Sequence, residues 1–204
     1  QSVVNIDEEK GEIYFTSLKE SSIERHLYRS SIDGKNMEKL SDQKGVHKIN
    51  FSNDGNFYLD IHSDASSPPT LVLYKNDGEK IHTLVDDRPE LISEYDLQTP
   101  ELFTIPTKDN FLMPAQILKP KNFNKTKKYP IIFHVYGGPS APTVFDRWQG
   151  HSLFYDNMLL EMGYLIVKFD HRASTAKSKK LENHVLRMMS GPIEREAIVD
   201  GIKW

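Results

Sequence analysis

The residues with the clearest chemical potential form the string HVYGGPS at 134–140, directly after the apolar residues 131–133. Two consecutive glycines let the backbone turn sharply and let a substrate approach the end of a strand. Tyr136 stands at this turn, either as a half-buried ring that closes the strand or as a functional group. Asp170 and Arg172 follow the next apolar run, where we expect them to fix their loop by an ion pair or backbone hydrogen bonds.

Several chemistries are excluded by what the sequence lacks. There is no cysteine, so a thiol nucleophile and a zinc-thiolate site are impossible. No Gly-x-Ser-x-Gly string is present, and none of the eight histidines can be assigned as a general base. His134 and His171 flank the two strand-end loops, where we expect structural hydrogen bonds. We predict no cofactor and no metal. The net charge is -3 and the basic and acidic residues are mixed along the chain, so we also predict no nucleic-acid binding.

The first half of the chain contains an internal repeat. Residues 11–42 align without a gap on residues 55–86, at an offset of 44 residues. Each copy ends in a hairpin whose turn is an Asp-Gly dipeptide, which suits a tight β-turn. A β-repeat of roughly 40–50 residues is typical of propeller blades, each a four-stranded antiparallel sheet. The alternative is a generic antiparallel meander, which does not explain the gapless match. The aligned identical residues are Gly11/Gly55, Tyr14/Tyr58, Ser22/Ser66, Leu27/Leu71, Asp33/Asp77, Gly34/Gly78, Leu40/Leu84 and Asp42/Asp86.

The second half has a different pattern, with a boundary near residue 93. A hairpin is predicted around residues 108–110, and residues 131–135 form the apolar run of a strand buried on both faces. A helix over 150–162, with Leu153, Phe154, Met158 and Met162 at helical spacing, leads to a second strand over 164–170. Strand, helix and strand in this order predict a parallel pair.

A last helix is predicted from Pro192 to Trp204. Ser190 and Gly191 are its candidate caps, and the acidic residues of its first turn suit the helix dipole. Its apolar face is predicted to contain Ile193, Ala197, Ile198, Ile202 and Trp204.

Taken in order, these parts resemble the prolyl oligopeptidase family of serine peptidases, and most closely its dipeptidyl peptidase IV and prolyl tripeptidyl aminopeptidase branch. The matching strings are a Lys-Lys-Tyr-Pro lead at 127–130, HVYGGPS, FDHRAS at 169–174 and an acidic helix that ends in DGIKW. The fold class implied is mixed, with antiparallel β-propeller blades over 1–92 followed by the N-terminal part of an α/β-hydrolase domain over 93–204.

The resemblance implies a Ser, Asp and His triad that releases di- or tripeptides from the N-termini of short peptides, after proline or a small residue. In that pattern Tyr136 gives its hydroxyl to the oxyanion hole. The nucleophile is expected on the strand after the helix that ends at Trp204, so we expect the 204 residues alone to be inactive. The resemblance also suggests a periplasmic or secreted parent and is compatible with a homodimer. No apolar run reaches the roughly 20 residues of a membrane span.

The sequence departs from the family in one loop. Family members run through several glycines after Asp-x-Arg, whereas this chain has no glycine between Gly163 and Gly191. The loop must take a different path, which leaves the exact substrate preference open. Because a fold alone does not define a function, two other functions also stay open: a non-catalytic binding protein whose hydrolase-like part is only a scaffold, and another α/β-hydrolase such as an esterase. The blade repeat disfavours the esterase.

Overall fold

The computed structural model describes residues 2–189 and 191–204, which form two compact units. The first unit contains the chain up to Leu91 together with Asp146–Trp148, and the second contains Ile92–Phe145 and Gln149–Trp204. The boundary predicted near residue 93 lies beside this division. Among the described residues, no helix has the length and apolar character needed to cross a membrane.

The first unit consists of two four-stranded antiparallel sheets, each with its strands in sequence order. The strands that begin the two sheets start 44 residues apart, and so do the two third strands, so the repeat of the elements is confirmed. The predicted shared register is wrong for the second and third strands, because Tyr14 pairs with Arg29 whereas Tyr58 pairs with Tyr74, the residue equivalent to Ser30. The strands are β1 (Ser2–Asp7), β2 (Glu12–Ser17), β3 (His26–Ser31), β4 (Glu38–Lys39), β5 (Val46–Phe51), β6 (Phe57–Ser63), β7 (Thr70–Lys75) and β8 (Lys80–Val85).

Equivalent residues of the two copies do the same structural work. Tyr14 and Tyr58 are 0% and 2% exposed and pack in one apolar cluster. In the first Asp-Gly turn the Asp33 carboxylate accepts a hydrogen bond from the amide of Lys35 at 3.1 Å. In the second, Asp77 accepts one from the amide of Glu79 at 2.9 Å. Both glycines of these turns have positive φ, so the predicted turn chemistry is confirmed.

Asp146–Trp148 binds to the first unit through its backbone and the Asp146 carboxylate. The Asp146 amide donates to the Ile23 carbonyl at 2.9 Å, and its carboxylate accepts from the Ala65 amide at 2.9 Å. The Trp148 amide donates to the Ser63 hydroxyl at 3.3 Å. Burial raises the pKa of Asp146. These bonds fix the segment to the ends of two neighbouring sheets, a contact that the sequence did not predict.

The second unit contains one four-stranded mixed sheet in the order β11 (Ile131–His134), β12 (Leu165–Phe169), β10 (Leu112–Leu118) and β9 (Glu101–Pro106). Its strands β9 and β10 form the predicted antiparallel hairpin, and β11 and β12 form the predicted parallel pair with a helix between them. The elements are α1 (Glu90–Glu94), β9 (Glu101–Pro106), β10 (Leu112–Leu118), β11 (Ile131–His134), α2 (His151–Glu161), β12 (Leu165–Phe169), α3 (Lys179–Glu182), a short 3-10 turn (Asn183–Val185) and α4 (Pro192–Lys203).

The core of the second unit joins this sheet to α4. Ile105, Met113, Val167 and Phe169 pack together with Ala197, and each is less than a tenth exposed. Gly201 of α4 lies directly on the Phe169 ring, because a Cβ at position 201 would come within 2.7 Å of the Phe169 Cζ atom. The helix therefore packs on the sheet at a distance that only glycine permits at this point.

The prediction that residues 131–135 are buried on both faces is wrong. Within the described residues β11 pairs only with β12 and forms the edge of the sheet. Ile131 is 45% exposed, and no residue of β11 is fully buried. A continuous apolar run indicates a strand, but it does not distinguish a central strand from an edge strand.

The predicted face of α2 is only partly correct. Leu153 is buried, but Met158 and Met162 are 51% and 66% exposed. The buried side includes Asp156, whose carboxylate lies 3.2 Å from the Lys168 ammonium. A buried ion pair therefore replaces the apolar contact that the spacing predicted.

The predicted apolar face of the last helix, α4, is also only partly correct. Its buried residues are Glu194, Ala197 and Gly201, whereas the predicted core residue Ile202 is 53% exposed. The Glu194 carboxylate accepts a hydrogen bond from the Gly191 amide at 3.0 Å, which caps the first turn. Ser190, the other candidate cap, lies outside the described residues.

Candidate active site

The turn after β11 presents the Tyr136 side chain to solvent. Tyr136 is 69% exposed, so it is not the half-buried ring of the structural alternative. Gly137 has a φ of 80°, in the left-handed region that favours glycine. The Tyr136 ring lies over Gly138, where an added Cβ would be 2.4 Å from the Tyr136 Cε1 atom. Both glycines are thus required, one for the turn and one for the position of the ring.

A histidine holds this turn from beneath. His171, 2% exposed, lies in the loop after β12, and its Nε2 atom is 2.9 Å from the Gly137 carbonyl oxygen. Because a carbonyl can only accept, Nε2 carries the proton and donates it. The Ser140 amide donates to the Ala173 carbonyl at 2.9 Å, so the loops after the two parallel strands are bonded together. The structural role expected of His171 is confirmed.

Asp170 fixes the same pair of loops. Its carboxylate accepts hydrogen bonds from the amides of Thr143 and Val144 at 2.9 and 2.8 Å. The Thr143 hydroxyl adds a third donor at 2.9 Å. Burial raises the pKa of Asp170, and these amide donors oppose the rise. Both oxygens of the Asp170 carboxylate therefore accept hydrogen bonds from the loop, which confirms the structural role expected of Asp170.

Arg172 forms the expected ion pair. Its Nη2 atom lies 2.5 Å from the Asp109 carboxylate, and its guanidinium lies 5.0 Å from the centre of the Phe111 ring. The hydrogen bond from Arg172 lowers the pKa of Asp109 to about 2, with help from the Thr107 hydroxyl. Arg172 thus ties the loop after β12 to the β9–β10 hairpin, and its guanidinium is occupied in doing so.

Tyr136 opens onto a cavity of about 680 Å³. One wall is the glycine turn and the other is the first two turns of α4 with the residues before it. A cavity of this size fits a few amino-acid residues of a ligand. The lining residues are Tyr136, Gly137, Gly138, Pro139, Met189, Gly191, Glu194, Arg195, Ile198 and Val199. The arrangement places one phenolic hydrogen-bond donor beside a space for a substrate.

The structure brings no complete catalytic triad to this cavity from the residues that it describes. His134, at the end of β11, has its Nε2 atom 4.0 Å from the Asp156 carboxylate and lies near no candidate nucleophile within 2–189 and 191–204. A Ser–His–carboxylate chain does occur in the first unit, where His26 contacts the Ser41 hydroxyl at 3.1 Å and the Glu24 carboxylate at 2.8 Å. Ser41 and His26 are 7% and 1% exposed, so a substrate carbonyl has no access to this hydroxyl.

Comparison with known proteins gives one family profile and several relatives. Residues 1–69 match the family profile described as the dipeptidyl peptidase IV (DPP IV) N-terminal region. A protein of Emericella nidulans named "Probable dipeptidyl-aminopeptidase B" is 34% identical over 176 residues, which are 83% of this chain and 19% of that protein. Human "Dipeptidyl peptidase 8" is 28% identical over 214 residues, with 100% of this chain and 23% of that protein covered.

A solved structure extends the likeness to the fold. The crystal structure of Porphyromonas gingivalis dipeptidyl peptidase 4 superposes with a TM-score of 0.81 and 24% identity, over 93% of this chain and 27% of that chain. At this identity the match speaks for fold alone, and it supports the predicted antiparallel sheets of the propeller part. The chain spans about a fifth of the length of these curated relatives. By its sequence, the order of its elements and these likenesses, the chain belongs to the dipeptidyl peptidase IV family.

Proposed function

We propose that the chain is a segment of a serine-type dipeptidyl peptidase, and that its second unit is the first part of an α/β-hydrolase domain. The parallel strands β11 and β12 with α2 between them support this fold, because α/β-hydrolases are built from such units. Substrates of open α/β sheets bind outside the carboxyl ends of the strands. The Tyr136 turn and the cavity beside it lie at that end of β11.

Tyr136 is the residue that we assign to catalysis. Attack of a serine hydroxyl on a peptide carbonyl creates a tetrahedral intermediate with negative charge on oxygen. A phenolic O–H that points into the site donates a hydrogen bond to that oxygen, and one such donor lowers the barrier by ~3 kcal/mol. The observation that carries the assignment is an exposed tyrosine beside a cavity, with a glycine under its ring.

The remaining machinery is proposed to lie outside these 204 residues. They contain no Gly-x-Ser-x-Gly elbow, and no histidine among those described is placed beside a nucleophile in the cavity. We therefore propose that the isolated chain does not hydrolyse peptides. For the full-length enzyme we propose short peptides as substrates, cut near the N-terminus after proline or a small residue.

The assignment of Tyr136 is tested by Tyr136→Phe in the full-length enzyme, with Xaa-Pro chromogenic substrates. The lost hydroxyl meets charge that exists only in the transition state, so we expect kcat to fall by ~100-fold with KM nearly unchanged. Tyr155→Phe is the matched control, because Tyr155 is 55% exposed on α2 and does not line the cavity. A kcat for Tyr136→Phe within about twofold of wild type would exclude an oxyanion role.

A further inference from the structure

Three buried histidines form a row where the two sheets of the first unit meet. His47 of β5 lies opposite His62 of β6, and the two rings stack with 4.5 Å between their centres. The His47 ring also lies 5.4 Å from that of His26, which begins β3 of the other sheet. In this order the three residues are 2%, 8% and 1% exposed. The function proposed for Tyr136 uses none of them.

The imidazole of His47 lies between two hydrogen-bond acceptors. Its Nε2 atom is 2.9 Å from the Gln43 carbonyl oxygen, and its Nδ1 atom is 2.6 Å from a carboxylate oxygen of Asp60. A carbonyl only accepts, so Nε2 carries a proton. A second proton lies between Nδ1 and the Asp60 oxygen, because two lone pairs repel each other at hydrogen-bond distance. The pair therefore holds one proton more than a neutral imidazole and a carboxylate hold together.

This additional proton belongs to His47. Imidazole is the stronger base of the two groups, since its ordinary pKa is about 6.5 and that of an aspartate carboxyl is about 3.9. Asp60 is 4% exposed, and among the described residues its other oxygen has no hydrogen-bond partner. A buried carboxylate without a cation beside it is costly. His47 is thus an imidazolium that donates to Asp60 and offsets its charge.

The other two histidines have no comparable need for a second proton. The Nδ1 atom of His26 is 3.1 Å from the Ser41 hydroxyl, and a hydroxyl can donate as well as accept. The Nε2 atom of His62 is 2.6 Å from the Lys44 carbonyl, which requires one proton on that nitrogen. Of the three rings, His47 alone is held between a carbonyl and a carboxylate.

Other ionisable groups face the row from the neighbouring elements. Burial, together with the charge of Asp60, raises the pKa of both Tyr58 and Tyr74, so the two phenols stay protonated at neutral pH. A substitution at Asp60 leaves all these groups in place, so a comparison with such a variant cancels their own titration. Besides the histidines, the groups are Glu20, Glu24, Asp42, Tyr58, Tyr74 and Asp146.

We propose that the His47–Asp60 pair is a pH-sensitive contact, in which one bound proton fixes the connection between the two sheets, residues 40–45, to β5 and β6. When Nδ1 gives this proton to water, its lone pair faces the Asp60 oxygen at 2.6 Å. The ring must then turn away, and the turn also breaks the hydrogen bond from Nε2 to the Gln43 carbonyl. Loss of the proton therefore weakens the place where the two sheets meet.

The pair stabilises the first unit most in mildly acidic solution. In the unfolded chain an imidazole keeps its proton up to about pH 6.5 and a carboxyl loses its proton at about pH 3.9. Between these values the folded and unfolded chains hold the same number of protons on the pair. Above about pH 6.5 only the folded chain keeps the proton, so its stability falls as the pH rises.

The test compares wild type with Asp60→Asn between about pH 5.5 and 7.5. The amide of an asparagine can donate to Nδ1 of a neutral His47, so this variant keeps the shape of the pair without the additional proton. Urea unfolding of the 204-residue chain, followed by the folded-state NMR signals of β5 and β6, gives the folding equilibrium constant of the first unit. The ratio of wild type to Asp60→Asn should fall ~10-fold per pH unit as the pH rises.

The control is Asp77→Asn, which makes the same replacement at an exposed position of the same sheet and should give a ratio that does not change with pH. Nitrogen-15 NMR of the wild-type chain at about pH 7.5 should show a proton on both ring nitrogens of His47. A single protonated nitrogen would overturn the proposal even if Asp60→Asn failed to fold. So would a fall of the Asp60→Asn ratio by less than ~10-fold over the whole range, or an equal fall with Asp77→Asn.

Discussion

Replacement of Gly138 by alanine separates the position of the Tyr136 hydroxyl from the stability of the fold. The added Cβ would lie 2.4 Å from Cε1, 3.1 Å from Cδ1 and 3.4 Å from Cζ of the Tyr136 ring. Ordinary carbon contacts are about 3.5 Å or longer, so the ring must move by about 1 Å. The ring is 69% exposed and can move without disturbing the core. We therefore expect the thermal midpoint to stay the same or to rise slightly, since alanine also restricts the unfolded chain.

Catalysis should respond differently from stability. A displacement of about 1 Å at a catalytic group can cost ~100-fold in rate, so we expect kcat of the full-length Gly138→Ala enzyme to fall by about that factor. The assay is steady-state hydrolysis of an Xaa-Pro chromogenic substrate, with a thermal melt on the same preparation. KM should change little, because the hydroxyl is proposed to act on the transition state.

A double-mutant cycle makes the reasoning refutable. If Gly138→Ala acts through the hydroxyl, adding it to Tyr136→Phe should have almost no further effect on kcat. A kcat within about twofold of wild type for Gly138→Ala alone, or an equal loss when it is added to Tyr136→Phe, would refute the mechanism. Gly137→Ala is the contrasting control: nothing lies within 4 Å of its added Cβ, but its φ of 80° is strained for alanine, so its main effect should be a lower midpoint.

Two further predictions concern stability alone. Gly201→Ala places a Cβ 2.7 Å from the Phe169 ring inside the core. We expect the overpacking cost of ~1–3 kcal/mol to exceed the gain in helix propensity of ~1 kcal/mol. Urea unfolding of the variant should therefore show a lower midpoint. The Asp109–Arg172 pair should stabilise the chain above pH 3.8, the ordinary pKa of the carboxyl, and lose this contribution as the pH falls toward about 2. The difference in unfolding free energy between wild type and Asp109→Asn should shrink over that pH range. It should also be smaller in high salt, because the carboxylate is largely exposed. A difference that does not depend on pH would contradict the ion pair.

The antiparallel part of the fold was predictable because its signals are local. The Asp-Gly turns define hairpins through the side chain of Asp33 and the positive φ of Gly34, both of which depend only on neighbouring residues. The repeated Tyr14 and Tyr58 mark the same buried position in each sheet. A repeat that occurs twice in one chain gives the type and order of the elements. It did not give the pairing register, which differs by one residue between the two copies for the second and third strands.

The faces of the helices were only partly predictable from apolar spacing, which identified Leu153 and Ala197 correctly. The side of α2 that packs on the sheet carries Asp156, because Lys168 of β12 lies opposite and supplies a charge partner. The side of α4 that packs carries Gly201, because the Phe169 ring needs the space. In both helices the partner lies on a strand outside the helix, so spacing within the helix alone contains no information about it.

The candidate site was only half visible in the sequence. The glycines around Tyr136 predicted a turn. The reason for a glycine at position 138 is the place of the Tyr136 ring above it, which the sequence does not show. His171 was correctly expected to be structural, yet its partner, the Gly137 carbonyl, is 34 residues earlier in the chain. Residues that act through long-range hydrogen bonds leave no periodic signal in a single sequence.

The assignment of Asp146–Trp148 to the first unit has a consequence for the order of folding during synthesis. Asp146 follows Leu91 by 55 positions, so the first unit is incomplete until those residues have been translated. At ribosomal speeds this is a delay of roughly 3–11 s. During that interval the Ile23 carbonyl and the Ala65 amide have no bond to Asp146. A first unit excised after Leu91 would remain in this unfinished state, so its stability measured alone would understate its stability in the whole chain.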